Sequence, residues 1–102
     1  MILWIDDVRT APQHYDFHAR SSWSAITWMQ QHGCPKFISF DHDLGGDDTS
    51  MKVIHWMVKQ DMDNPGWLRD DFSYAVHSAN PVGVQNIVGL IEGYLNAMQD
   101  DR

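Results

Sequence analysis

Four aspartates stand at two points of the sequence in a pattern that favours a divalent-cation site. Asp6 and Asp7 follow one short apolar run, and Asp41 and Asp43 follow another. Carboxylates held close together repel one another unless they are protonated or neutralised, and their oxygens are ligands that Mg²⁺ and Mn²⁺ prefer. We therefore predict that Asp6, Asp7, Asp41 and Asp43 hold Mg²⁺ or Mn²⁺. The alternative is that the four side chains point apart and cap turns.

Two histidines stand near these acids. His42 lies between Asp41 and Asp43, and His77 follows a third apolar run. An imidazole titrates near neutral pH and serves as a general acid or base. We therefore predict that His42 and His77 are catalytic together with Asp41, and which histidine is the base stays open. The alternatives are a structural role for each ring or the binding of a softer metal.

Three further polar side chains near the same points suit a phosphate group. The guanidinium fork of Arg9 matches phosphate oxygens, and Ser78 and Asn80 offer hydrogen bonds to them. We predict that all three bind the substrate. Each also has a structural alternative: Arg9 could pair with the acids, Ser78 could satisfy a backbone group, and Asn80 could cap the helix that Pro81 begins.

These residues need elements to position them, and apolar runs alternate with amphipathic segments along the chain. The runs at residues 2–5, 36–40 and 73–76 are too short for helices and predict strands, and residues 15–19, of mixed polarity, are a further strand candidate. Trp23, Ile26 and Met29 stand at helical spacing and predict a first helix from Trp23 to about Gln31, capped by Ser21 or Ser22. A second helix follows a cap at Thr49 or Ser50 and buries Val53, Ile54, Met57 and Val58. A third begins at Asn80-Pro81.

This alternation predicts the fold class. Strands separated by helices form a parallel sheet, here about four strands with about three helices on both faces. The result is a small open α/β sandwich that forms one domain over residues 1–102. Ligands of such sheets bind in the crevice at the carboxyl ends of the strands. Because the acids and histidines all follow strands, we expect them to meet at that edge.

The composition excludes several classes of function. Of 102 residues, 43% are hydrophobic and 21% are charged, which is typical of a globular domain and not of a disordered chain. The formal net charge of −7 argues against duplex nucleic acid as a partner. No apolar run is long enough for a membrane span, so no membrane partner is expected. The first residues lack the basic start of a signal peptide.

The cysteine and tryptophan content also bears on the class of protein. The single cysteine, Cys34, excludes an internal disulfide and every multi-cysteine zinc module, and it fits the reducing cytoplasm. Five tryptophans in so short a chain either fill the core or form a flat apolar surface at which a homodimer could form.

At the same residues the chain resembles the receiver domains of two-component signalling, and the resemblance implies that the α/β sandwich is receiver-like. Asp6-Asp7 matches their acidic pair, Asp41 stands where their phospho-accepting aspartate stands, and Ser78-Ala79 matches their hydroxyl position. The lysine of that family has no counterpart, because only a lysine-free helix is predicted after Ala79. The segment after Asp7 is also too short for the first receiver helix.

The chain is more similar to the cyclic-phosphate processing receiver domains of bacteria and phages. The matching strings are LWIDDVR at residues 3–9, SFDHDLGG at residues 39–46 and VHSANPVG at residues 76–83. The resemblance implies a metal-assisted site that acts on a cyclic nucleotide or a 2′,3′-cyclic phosphate end.

Together these observations predict a metal-dependent phosphoesterase acting on a small cyclic phosphate. The four aspartates would hold the cation, the histidines would move protons, and Arg9, Ser78 and Asn80 would hold phosphate oxygens. One alternative is a protein that binds and sequesters a cyclic nucleotide without hydrolysing it. Another is a receiver-like switch that is phosphorylated at Asp41 and read by a partner.

Overall fold

The computed structural model describes residues 1–9 and 14–101 of the chain. The described strands are β1 (Ile2–Ile5), β2 (Phe17–Ala19), β3 (Phe37–Phe40) and β4 (Ser73–Val76). The described helices are α1 (Ser22–His32), α2 (Ser50–Asp63) and α3 (Pro81–Asp101). In this part of the chain, no helix combines the length and the apolar character that a membrane crossing needs.

All four strands pair in parallel, in the order β2-β1-β3-β4. Ile5 is level with Ala19 and with Phe40, and Phe40 is level with Val76, so β1, β3 and β4 end in one row. The predicted receiver-like α/β fold with a four-stranded parallel sheet is confirmed. The register brings the residues that follow these three strands next to one another.

Each helix begins after a residue whose side chain caps its first turn. Ser21 caps α1 in a capping box with Ser24, and Thr49 caps α2 by accepting from the backbone N–H of Met51. The Oδ1 atom of Asn80 accepts from the backbone N–H of Gly83 at 3.2 Å, as expected for the cap before Pro81. Each of these helices begins at the carboxyl edge of the sheet.

The three helices lie on one face of the sheet, so the expectation of helices on both faces is wrong for the described residues. The core residues of α1, α2 and α3 form one cluster with Leu3, Ile5, Ile38 and Phe40, which alternation places on the same face. The connections β2-to-β3 and β3-to-β4 step across the sheet in the same direction, and right-handed crossovers in one direction place their helices together. Helix α3 then packs against α2.

The residues that stand at helical spacing in α1 do not all share its buried face. Trp23 is 75% exposed, whereas Ala25, Trp28 and Met29 are buried. Three-residue steps fall short of a full turn on a helix of 3.6 residues per turn. The side chains of Trp23, Ile26 and Met29 therefore drift around the helix instead of lining one face. In contrast, Val53, Ile54 and Met57 of α2 are buried as predicted.

Candidate functional site

An open cleft of about 540 Å³ lies at the carboxyl edge of the sheet. All four predicted metal-binding aspartates line it: Asp6, Asp7, Asp41 and Asp43. All three predicted substrate-binding residues, Arg9, Ser78 and Asn80, also line it, as do Gly45 and Gly46. The two predicted catalytic histidines, His42 and His77, are not among the residues that line it.

Asp6 is the most constrained acid of the cleft. Its side chain is 1% exposed, and Oδ1 accepts from the backbone N–H groups of Val8 at 2.9 Å and Arg9 at 2.7 Å. Oδ2 lies 2.9 Å from Nε2 of His77. Burial by itself would raise the pKa of Asp6, but these hydrogen bonds outweigh it and hold the pKa below its usual value. Asp6 is therefore an ionised carboxylate with a fixed orientation.

Asp41 has the opposite balance. Its backbone is held at the end of β3 by N–H donation to Ile5 and by a hydrogen bond that its carbonyl accepts from the Ser50 hydroxyl. Burial raises the pKa of its carboxyl group, and the negative charge of Asp6 raises it further, although a hydrogen bond from Ser78 opposes both. A cation placed between Asp6 and Asp41 would relieve this repulsion.

Three of these groups lie close enough to share an ion. Asp6, Asp41 and His77 each offer one ligand atom, and the three atoms lie within 4.8 Å of one another. Two carboxylates and an imidazole suit a divalent cation such as Mn²⁺, and the carboxylates also suit Mg²⁺. The donor set of the described residues therefore fits a metal ion.

Asp7 and Asp43 line the cleft outside this group of three. Oδ2 of Asp7 lies 3.5 Å from the position that a Cβ atom at Gly45 would occupy, and Gly45 has a φ of 92° that favours glycine. Asp43 has partners for both oxygens: Nδ1 of His42 at 3.0 Å and the side-chain amide of Asn80 at 3.3 Å. These hydrogen bonds lower the pKa of Asp43.

His77 stands behind the acids, held on three sides. Nε2 faces Asp6, Nδ1 lies 2.7 Å from the hydroxyl of Ser39, and the ring stacks on Trp4 at a centroid distance of 4.0 Å. The sequence analysis missed Ser39 and Trp4. Trp4 and Ser39 are level in the sheet and point away from the helices. The signal that could have identified Ser39 is that it is a polar residue within an otherwise apolar strand.

His42 lies on the other side of the sheet. Its Nδ1 atom pairs with Asp43, and its ring packs so closely on α3 that a Cβ atom at Gly83 would lie 2.4 Å from its Cγ atom. Alternation explains the contrast, since His77 is the first residue after its strand and His42 is the second. The structure brings His77 to the acids and places His42 against α3.

The predicted phosphate-binding residues have structural partners as well. Nη1 of Arg9 donates to the backbone carbonyl of His77 at 3.3 Å. The Ser78 hydroxyl accepts from the backbone N–H of Asn80 at 3.1 Å and donates to Asp41. All three side chains line the same cleft.

Comparison with known families assigns the chain. The family model of the cyclic-phosphate processing receiver domain matches residues 1–93. The chain belongs to this family. No curated protein and no solved structure matches the chain. The matched range includes every residue of the cleft, so the predicted resemblance to cyclic-phosphate processing receiver domains is confirmed.

Proposed function

We propose that this receiver domain is a metal-dependent phosphoesterase that hydrolyses a small cyclic phosphate. The observation that carries the proposal is the pairing of Asp6 and Asp41 in one cleft with Arg9, Ser78 and Asn80. Crowded carboxylates call for a cation, and the neighbouring donors suit the oxygens of a phosphate. The family assignment supports cyclic phosphate as the substrate class.

In the proposed site, Asp6 and Asp41 hold the cation, and Asp7 and Asp43 add negative charge around it. A bound Mg²⁺ or Mn²⁺ would supply Lewis-acid polarisation of the phosphoryl group. The guanidinium of Arg9 and the amide of Asn80 would donate to phosphate oxygens, and the Ser78 hydroxyl would do so in exchange for its hydrogen bond to Asp41. These donors stabilise the negative charge that grows on the oxygens in the transition state.

Proton transfer is assigned to His77, because its Nε2 atom lies among the carboxylates. His42 is assigned to holding Asp43, which it contacts directly. In the reaction, the oxygen of water forms a bond to phosphorus and one of the two ring P–O bonds breaks. The ring opens to a phosphomonoester, and the leaving oxygen takes up a proton that balances the one the attacking water gives up.

The size and charge of the cleft favour a small substrate. A volume of about 540 Å³ lies within the range of pockets that bind nucleotide-sized ligands. The chain carries a net charge of −7, which would repel a long polyanion. We therefore propose a cyclic nucleotide or a 2′,3′-cyclic end as the substrate and exclude duplex nucleic acid.

The experiment is incubation of the whole chain with a panel of cyclic nucleotides and cyclic-ended oligonucleotides, with Mg²⁺, with Mn²⁺ and with chelator. We expect conversion of at least one substrate to a phosphomonoester, seen by ³¹P nuclear magnetic resonance (NMR), only when metal is present. Asp41→Asn should abolish conversion. Asp47→Asn is the matched control, because it removes the same charge from an exposed position in the following loop.

Other outcomes would replace the proposal. A cyclic nucleotide that binds but is recovered intact after long incubation with metal would show sequestration without hydrolysis. Stable labelling of Asp41 by a small phosphodonor, with no turnover of the panel, would show a phosphorylation switch.

A further inference from the structure

The hydroxyl of Ser39 has an unusual position for a strand residue of this protein. Ser39 is 5% exposed in the centre of the sheet. Within residues 1–9 and 14–101, the structure gives its hydroxyl one hydrogen-bond partner, Nδ1 of His77 at 2.7 Å. A buried hydroxyl needs an acceptor for its hydrogen, and the imidazole nitrogen is the one within reach.

The other side of the ring faces an acceptor. Nε2 of His77 lies 2.9 Å from Oδ2 of Asp6, and Oδ1 of Asp6 accepts from the backbone of Val8 and Arg9. A carboxylate that accepts these bonds is ionised and has no hydrogen to give. A neutral imidazole carries one hydrogen, so this hydrogen belongs on Nε2 and the lone pair on Nδ1.

We propose that Ser39 is a positioning residue of the cleft, whose hydroxyl donates to Nδ1 of His77 and thereby keeps the hydrogen of the ring on Nε2, pointed at Asp6. The stacked ring of Trp4 fixes the plane of the imidazole. With Val8 and Arg9 on one oxygen and His77 on the other, the carboxylate of Asp6 is locked in orientation before any ligand arrives. In this state His77 orients Asp6, so of the three groups that lie within reach of one ion only the carboxylates of Asp6 and Asp41 are ligands.

The functional consequence rests on the cation site of the proposed function. Partners that orient a metal-binding carboxylate typically change metal affinity about 10–100-fold when they are removed. A ring with its hydrogen on Nε2 also has no lone pair on that atom, so neutral His77 cannot act as a base on the side of the cleft, and it can give up a proton there only when both of its nitrogens carry hydrogen. Ser39 therefore determines the geometry of Asp6 and restricts His77 to the role of an acid on that side.

The test reads the tautomer directly in the ¹⁵N-labelled chain, by long-range ¹H–¹⁵N correlation of the imidazole rings at a pH of about 8, where an ordinary imidazole is neutral. We expect the Nε2–H pattern for His77 in the wild type and in Ser39→Thr, which keeps the hydroxyl. Ser39→Ala should shift the ring toward a mixture with Nδ1–H. Ser73→Ala is the matched control, because it makes the same change at an exposed position of the neighbouring strand.

Hydrogen on Nδ1 of wild-type His77, alone or together with Nε2, would overturn the proposal, and so would an unchanged His77 pattern in Ser39→Ala. A second measurement is Mg²⁺ affinity by titration calorimetry, which should weaken about 10–100-fold in Ser39→Ala and recover in Ser39→Thr. Equal Mg²⁺ affinity in the wild type and Ser39→Ala would overturn the positioning role. If the wild type binds no Mg²⁺, the cation site fails, and the tautomer pattern still supports or overturns the role of Ser39.

Discussion

Two acidic side chains at opposite ends of this domain have contrasting surroundings. Asp61, near the end of α2, is 2% exposed and accepts from the backbone N–H of Leu68 at 2.8 Å and from the hydroxyl of Tyr94 at 2.6 Å. Asp41, at the end of β3, faces the carboxylate of Asp6, and burial together with that charge raises its pKa. Hydrogen-bond donors surround Asp61, whereas a second negative charge, that of Asp6, faces Asp41.

The difference shows how the same residue type serves two purposes. A buried acid that is fully hydrogen-bonded links elements, here α2, α3 and the segment before β4. A half-buried acid beside another acid, such as Asp41 beside Asp6, lowers the stability of the metal-free protein and gains from a cation. Substitutions around Asp61 should therefore change stability, and substitutions in the cleft should change binding and turnover.

The largest effect on the cleft side is expected for His77→Ala. Turnover should fall by roughly 10²–10⁴-fold, as is typical when a proton-transfer group is removed, while the chain still folds. The measurement is the steady-state rate with a substrate identified from the panel, beside a circular-dichroism melt. His42→Ala is the matched control, with expected loss of stability and retained turnover per folded molecule. The reverse pattern would exchange the roles of the two histidines.

For the hydrogen-bonded acid of the comparison, Asp61→Ala should lower the free energy of unfolding by roughly 1–3 kcal/mol for each buried donor that it leaves without an acceptor. Chemical denaturation measures this change. Asp63→Ala provides the control, because Asp63 is exposed on the same helix and its ion pair with Lys59, at 3.5 Å, is exposed to solvent. Equal losses in the two variants would mean that the hydrogen bonds of Asp61 do not stabilise the fold.

Divalent cation should stabilise the wild type by about 2.7 kcal/mol when its concentration is about 100 times its dissociation constant. Asp41→Asn should weaken this response and raise the melting temperature of the metal-free protein, because it removes repulsion with Asp6. Thermal melts with Mg²⁺, with Mn²⁺ and with chelator measure both effects. An unchanged melt in all three conditions, with no heat of binding, would contradict the cation site.

Gly83→Ala tests how closely the ring of His42 packs on α3. An added Cβ atom would lie 2.4 Å from the His42 ring, so this variant should lose about 1–3 kcal/mol of stability through overpacking. Gly89→Ala, on the same helix with open space around it, should instead gain up to about 1 kcal/mol, since alanine favours helices. Denaturant melts of both variants should therefore move in opposite directions.

The smallest effect concerns Asp48, which accepts from the backbone N–H of Ser22 at 2.8 Å and from its hydroxyl at 2.5 Å. Burial would raise the pKa of Asp48, but the hydrogen bonds from Ser22 and the charge of Lys52 lower it overall. A lowered pKa stabilises the fold above the ordinary value of 3.8, and the contribution is lost as the pH falls through the lowered pKa. Melting temperatures between pH 7 and 2 should therefore fall less steeply in Asp48→Asn than in the wild type.

Much of the fold could be predicted because the signals are local. The bounds of β1 and β4 match the prediction, and Ser21, Thr49 and Asn80 cap the helices as expected. A cap or a short strand is determined by residues within a few positions of one another. The edge rule for parallel sheets then brought the four aspartates and the three phosphate-binding candidates to one cleft without any knowledge of long-range contacts.

The tertiary structure decided what depends on neighbours distant in sequence. That all three helices share a face follows from strand order, which the sequence did not specify. Only the aligned register shows that His77 belongs with Asp6 and Asp41, whereas His42 turns to α3. The hydroxyl of Ser39 meets His77 because β3 and β4 are adjacent. The sequence by itself determined which residues stand at strand ends, but the face on which each side chain emerges, and the partner it meets there, are set by pairing between strands.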